Sequence, residues 1–215
     1  MAKQSSVVVS ITPPNFKAIS LRVVGSAPLL MHKFSEKMRK QIEEKQTKKD
    51  QTTKKREPKD YAAEFNAARY VSKAGWDGIP CAMFRGAMIA ACRTITGLPM
   101  TKAKGAFTVK SHGFEVTDGT PLVKINGKAK HDTRPVRLES GVADMRNRPR
   151  YDDWSADLTI EYDADMMSAT DIANLLARAG AQVGIAELRP QGANSFGGDC
   201  GTFTVETAKR GKKAA

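Results

Sequence analysis

Arg146, Arg148 and Arg150 occupy every second position of a polar stretch, and Arg134 and Arg137 lie shortly before them. A guanidinium is planar, always charged, and donates two parallel hydrogen bonds to a phosphate or carboxylate. Arginines repeated at short intervals therefore point to anion recognition, and to phosphate in particular. Tyr151 and Trp154 lie beside them and carry rings that can stack on bases. Trp154 also heads an alternating apolar pattern, which assigns it to the core.

Two more segments have residue types suited to phosphate. Pro80-Cys-Ala-Met-Phe-Arg-Gly-Ala-Met-Ile-Ala-Ala-Cys-Arg93 opens a helix whose first backbone N–H groups, with Arg85 close by, form a ready anion site. The alternative is a buried helix whose arginine simply reaches the surface. Glycines at 184, 192, 197, 198 and 201 let the backbone before the last strand approach a ligand or a neighbouring strand closely. There Arg189 adds a phosphate contact and Phe196 a stacking surface, or the loop only packs the sheet edge. His32 and Lys33 open a charged stretch, and Lys102 lies in a basic loop over 101–105. The candidate nucleic-acid-binding set is thus His32, Lys33, Arg85, Arg93, Lys102, Arg134, Arg137, Arg146, Arg148, Arg150, Arg189 and Phe196.

Catalysis has no comparable pattern. The chain carries no G-x-S-x-G, no phosphate-loop motif and no H-E-x-x-H. His32, His112 and His131 are isolated, and no cysteine stands at zinc-ligand spacing from another cysteine or a histidine. Asp152, Asp153, Asp157, Asp163 and Asp165 could hold a divalent ion, but they read better as strand surface. No catalytic residue, metal or cofactor is expected.

The chain has 215 residues, 35 Lys and Arg against 23 Asp and Glu, and a net charge of +12. Residues 33–59 carry a net +6 and the last residues, with Lys209, Arg210, Lys212 and Lys213, another +4, which leaves +2 for everything else. Basic segments on a nearly neutral body attract polyanions by counterion release, or keep a protein soluble. No run of eighteen apolar residues exists, so no membrane partner is expected. The short apolar run Val7–Ile11 and three dispersed cysteines, Cys81, Cys92 and Cys200, imply a reducing, cytoplasmic setting.

The elements that must position these residues follow from periodicity and caps. Lys17–Val24 reads as a strand. Asp60 caps a helix to Ser72, and a second helix spans Met83–Ile95. Phe107–Val109 and Gly113–Val116 are short strands. Asn126-Gly127 marks a hairpin turn between Leu122–Ile125 and Lys128–His131. Trp154–Asp163 alternates strictly, the mark of a half-buried strand. Ser168 and Asp171 form a capping box for a helix to Ala179, Gly180 terminates it, Gln182–Glu187 forms a short strand, and Thr202–Val205 is the last strand. A polar helix is also expected over Ser35–Gln46. This order is an α+β, ferredoxin-like (βαββαβ, RRM-like) core. It makes one domain over 17–207, with insertions at 33–60 and 118–150, an N-terminal tail or edge strand at 1–16, and a basic tail at 208–215.

Gly78-Ile-Pro-Cys-Ala-Met-Phe-Arg-Gly-Ala-Met-Ile-Ala-Ala-Cys-Arg93 resembles the I-P-G-S-S-L-K-G-A-L-R helix start of the RAMP superfamily, which includes backbone subunits of CRISPR effector complexes. The loop Gly184–Gly201 is similar to that family's C-terminal glycine-rich loop, and Val23-Val-Gly-Ser-Ala-Pro-Leu-Leu to its first strand and turn. Small RAMP-like proteins of bacteriophages share the same look. The resemblance implies binding of single-stranded nucleic acid, RNA favoured, by protomers that oligomerise along the strand, with a thumb hairpin at about 118–150. Ala82-Met83 replaces the family's two serines, and Leu29–Glu36 lacks the aspartate of RNA-cutting members, so binding without cleavage is expected. The alternatives are a metal-dependent ribonuclease and a phage protein–protein interaction or structural module.

Overall fold

The computed structural model describes residues 11–33, 59–137, 141, 143–192 and 197–206. The expected helix over 35–46, Phe196 and the basic tail lie outside these residues. The fold is α+β, with antiparallel sheets and four α-helices among the described residues.

Local sequence accounts for the main elements. β10 (Trp154–Asp163) matches the alternating stretch residue for residue. Its apolar positions Trp154, Ala156, Leu158, Ile160 and Tyr162 are all buried. β10 pairs along its length with β1 (Phe16–Gly25), placing Leu21 opposite Leu158 and Ile19 opposite Ile160. Burying side chains such as Leu158 and Ile160 contributes about 2 kcal/mol each. β4 (Phe107–Val109) adds to the other side of β10, and β11 (Phe203–Glu206) to the other side of β1, so the sheet order is β11-β1-β10-β4.

α2 (Cys81–Ala91) and α4 (Ala169–Arg178) join this sheet in one core, which contains Phe84 and Met88 from the first and Ile172, Leu175 and Leu176 from the second. Phe203 meets the rings of Phe84 and Trp154 edge-on at 5.7 and 6.1 Å. The Ser168–Asp171 capping box is fully formed. α4 does not end at Gly180; it runs on through a π-helical turn, Ala179–Val183, and the strand expected over 182–187 is absent. Gly180 is buried against Phe203, where a side chain would clash.

α1 (Tyr61–Ala67) is capped by Asp60, which accepts from the N–H groups of Ala62 and Ala63 at 2.9 and 3.0 Å. It stops before Ser72 because the following residues are drawn into bridges, Val71 with Asp77 and Ser72 with Glu115. The basic loop expected over 101–105 is a helix, α3 (Met100–Ala106), held by the buried methyl groups of Ala103 and Ala106.

Two smaller sheets complete the fold. β3 (Gly78–Pro80) pairs with β6 (Pro121–Lys124), which also pairs with β5 (Gly113–Phe114). β2 (Leu29–Leu30) pairs with β9 (Ala143–Tyr151), which pairs in turn with β8 (Lys130–Arg137). Asn126-Gly127 is not a hairpin turn. It forms a short strand, β7, against Ser155 and Trp154 of β10. A type I′ turn needs positive φ at both residues, which Asn126 and Gly127 lack. Gly127 instead permits close approach, since a Cβ there would lie 2.6 Å from the Asp153 carbonyl oxygen.

Candidate functional site

The β8–β9 hairpin has two chemically different faces. Its register places Lys130 opposite Arg150, Asp132 opposite Arg148, Arg134 opposite Arg146, and Val136 opposite Asp144. Cross-strand partners share a face. Four arginines and a lysine therefore line one side, with Asp132 and Asp144 among them. The alternate positions face α1. There the His131 ring stacks on Phe65 at 4.0 Å, and Asn147 donates to the Tyr61 carbonyl at 2.6 Å. Below them, the Tyr151 hydroxyl donates to Asp77 at 2.9 Å; burial, aided by the Asp77 charge, pushes that hydroxyl's pKa up. On this side Asn147, Pro149 and Tyr151 are buried, while His131, Thr133, Pro135, Ala143 and Met145 are exposed, so close packing is confined to the Asn147–Tyr151 stretch.

Acids divide the arginines into distinct roles. Arg134 makes two hydrogen bonds to Asp132, whose carboxylate is nearly buried and also lies 3.4 Å from Arg150. Burial pushes the Asp132 pKa up, but Arg134 and Arg150 overcome it and hold the carboxyl below its ordinary value. Arg150 also donates to Asp152 at 2.6 Å, and Lys130 reaches the same carboxylate at 2.9 Å. Arg146 lies 3.9 Å from Asp144, which is itself paired with Lys59 at 2.7 Å.

Arg148 differs from the others. Its side chain is only 4% exposed, and Nε and Nη1 are buried without a hydrogen-bond partner among the described residues. The nearest countercharge is Glu187, whose Oε2 lies 3.8 Å from Nη1, beyond hydrogen-bond reach. Burial pushes the Arg148 pKa down, although a guanidinium stays charged regardless. Leaving such N–H groups unsatisfied costs on the order of 1–3 kcal/mol each.

Glu187 reaches this face from the glycine-rich loop. Its N–H donates to the Leu30 carbonyl at 3.0 Å, which ties the loop to β2, the neighbour of β9. Ala186 and Leu188, on either side, have φ of 61° and 54°, unusual for residues other than glycine. The loop closes where Gly201 donates to Pro28 and Ile185 donates to Gly201. Gly201 has φ of 71°, and a Cβ there would lie 1.9 Å from the Ile185 carbonyl oxygen. The Glu187 carboxylate lies 3.4 Å from His32 Nδ1; hydrogen bonding to His32, with the charge of Arg148, holds its pKa below the ordinary value.

Of the candidate residues, His32, Arg134, Arg146, Arg148 and Arg150 come together here. Arg137 is paired with Ala143 near the hairpin's end. Arg189 turns back to donate to the Ala186 carbonyl at 2.8 Å. Lys33 is committed to buried Glu115 at 2.6 Å and to Thr117. Arg85 donates to the carbonyls of Lys104 and Phe107, joining α2 to the end of α3. The start of α2 is buried at Pro80 and Cys81 by the pairing of β3 with β6. Arg93 and Lys102 are exposed on the helical side.

Asp132 and Glu187 belong to this site but not to the candidate set read from the sequence. The two-residue spacing from Asp132 to Arg134 is a signal only in an extended strand, which β8 supplies. Glu187 had none, because only folding brings it to Arg148. Among the described residues, no three His, Cys, Asp or Glu side chains are grouped to hold a metal ion, and no helix is long and apolar enough to cross a membrane. Neither a protein-family model nor a curated protein matches the sequence.

Proposed function

We propose that this protein binds single-stranded nucleic acid, RNA in preference, along the arginine face of the β8–β9 hairpin and the adjoining rim of the glycine-rich loop. It holds the strand without cutting it, and successive protomers assemble along it. The observation that carries this reading is the gathering of Arg134, Arg146, Arg148 and Arg150 on one face. Same-face residues along a strand are spaced by roughly 6.6–6.8 Å, comparable to successive phosphates of an extended polynucleotide.

Chain topology is consistent with the RAMP resemblance. An order of β11-β1-β10-β4, with α2 following β1 and α4 following β10, is what a ferredoxin-like βαββαβ core would have. The β8–β9 hairpin lies between β4 and β10 in the chain, the stretch where the resemblance would put a thumb.

Anisotropy titrations with labelled single-stranded RNA and DNA at two salt concentrations test the reading. Binding should weaken steeply with salt, the logarithm of affinity falling by about 0.7 per phosphate neutralised for each log unit of salt. Absence of binding to either strand at low salt would overturn it. Mass photometry with strands of increasing length tests assembly, which predicts stepwise addition of protomers.

A further inference from the structure

Arg148 is an incomplete site. A cation buried to 4% exposure, with two nitrogens lacking any hydrogen-bond partner among the described residues, is rare in a finished core. Its countercharge, Glu187, is too far to hydrogen-bond, and its side chain is 38% exposed, open to solvent where Arg148 is not. Arg146 and Arg134 add like charge nearby. A second donor or acceptor, His32, approaches the other oxygen of the same carboxylate.

We propose that Arg148 and His32 form a subsite for one phosphate group, and that the Glu187 carboxylate occupies it until phosphate displaces it. A phosphate carries more acceptor oxygens than a carboxylate and satisfies the guanidinium N–H groups that Glu187 leaves unmet. The carboxylate can leave by rotation of its own side chain, while the Glu187 backbone stays tied to Leu30. The phosphate is either a backbone phosphodiester or the free ion. In the first case the inference rests on the nucleic-acid reading and locates one point where the strand is gripped.

The test begins with inorganic phosphate, followed by NMR at the Arg148 Nε–H and the His32 ring in the full chain. E187Q keeps the shape and removes the competing charge. It should saturate at roughly 5- to 10-fold lower phosphate than the parent, a coupling typical of directly interacting groups. R148K in the E187Q background should cancel that gain and, as a conservative change, keeps the fold testable. The same variants are then titrated with single-stranded RNA, with D152N for comparison, which removes a negative charge from the same face and frees Arg150 and Lys130 rather than Arg148. E187Q should tighten RNA binding several-fold more than D152N does.

Equal phosphate affinity in E187Q and the parent, or a gain that survives R148K, overturns the subsite. A phosphate gain without RNA or DNA binding keeps the subsite and sinks the nucleic-acid reading. RNA binding that E187Q improves no more than D152N does sinks the backbone assignment and leaves free phosphate as the ligand.

Discussion

Asp132 and Arg148 face each other across the β8–β9 ladder, yet the Asp132 carboxylate is taken by Arg134 and Arg150. Arg148 is left to Glu187, which comes from a different part of the chain. One acid thus neutralises two half-buried arginines and leaves a third, fully buried one with an incomplete shell.

Asp132 is nearly buried and is the carboxylate that holds Arg134 and Arg150 together, so D132N should cost about 3 kcal/mol of stability, the size expected when one partner of a buried ion pair is removed. Urea unfolding of both proteins checks this. A loss below 1 kcal/mol would mean that the arginines repel each other less than the geometry implies.

Asp132, Glu115 and Glu187 are all held below their ordinary pKa values in the folded protein. For Glu115, burial acts upward, but hydrogen bonds from Lys33 and the backbone of Thr117 and Asp118 win. A carboxyl lowered on folding stabilises above its unfolded pKa, and that contribution is lost as pH falls through the folded value. Stability should therefore be level above about pH 5 and fall progressively below about pH 4, the ordinary carboxylate range. A urea midpoint unchanged down to pH 3 would contradict this, and E187Q should flatten part of the decline.

Arg146 and Arg85 should separate cleanly. R146Q removes a half-exposed cation from the arginine face and should weaken single-stranded RNA binding and reduce the salt slope by about 0.7. R85Q removes hydrogen bonds to the Phe107 and Lys104 carbonyls and should cost roughly 1 kcal/mol of stability. Its RNA affinity should match the parent's. The reverse pattern would move the interface to the start of α2.

G201A introduces a side chain where φ is 71° and the Ile185 oxygen is 1.9 Å away. The substitution should destabilise by about 2 kcal/mol or more, because neither backbone can shift without breaking the Gly201–Pro28 and Ile185–Gly201 hydrogen bonds. Thermal unfolding checks the loss. Hydrogen exchange should rise at Ile185 and Glu187, the amides that tie the loop to its neighbours.

Signals confined to neighbouring residues translated well. The alternation of Trp154–Asp163, the Asp60 cap and the Ser168–Asp171 box are set by bonds and burial within a few residues, and each formed where its pattern lies. The arginines at 146, 148 and 150 likewise share a face because a strand repeats every two residues. Asn126-Gly127 misled because its signal assumes that the flanking strands pair with each other. Leu122 and Val123 were instead drawn into the core against Pro80 and Ile79. Lys102 stands on a helix, not a loop, because Ala103 and Ala106 found a buried surface that their own segment does not reveal.

The charge sign, the alternation of the arginines and the helix caps are therefore properties of the chain alone, since each rests on contacts a few residues long. Which arginine is buried and which acid answers it are decided only when distant strands meet. His32 and Glu187, 155 residues apart, converge beside Arg148 because β2 docks on β9 and the loop docks on β2. No local pattern encodes that meeting, and burial, which turns an ordinary arginine into an unsatisfied one, exists only in the packed structure.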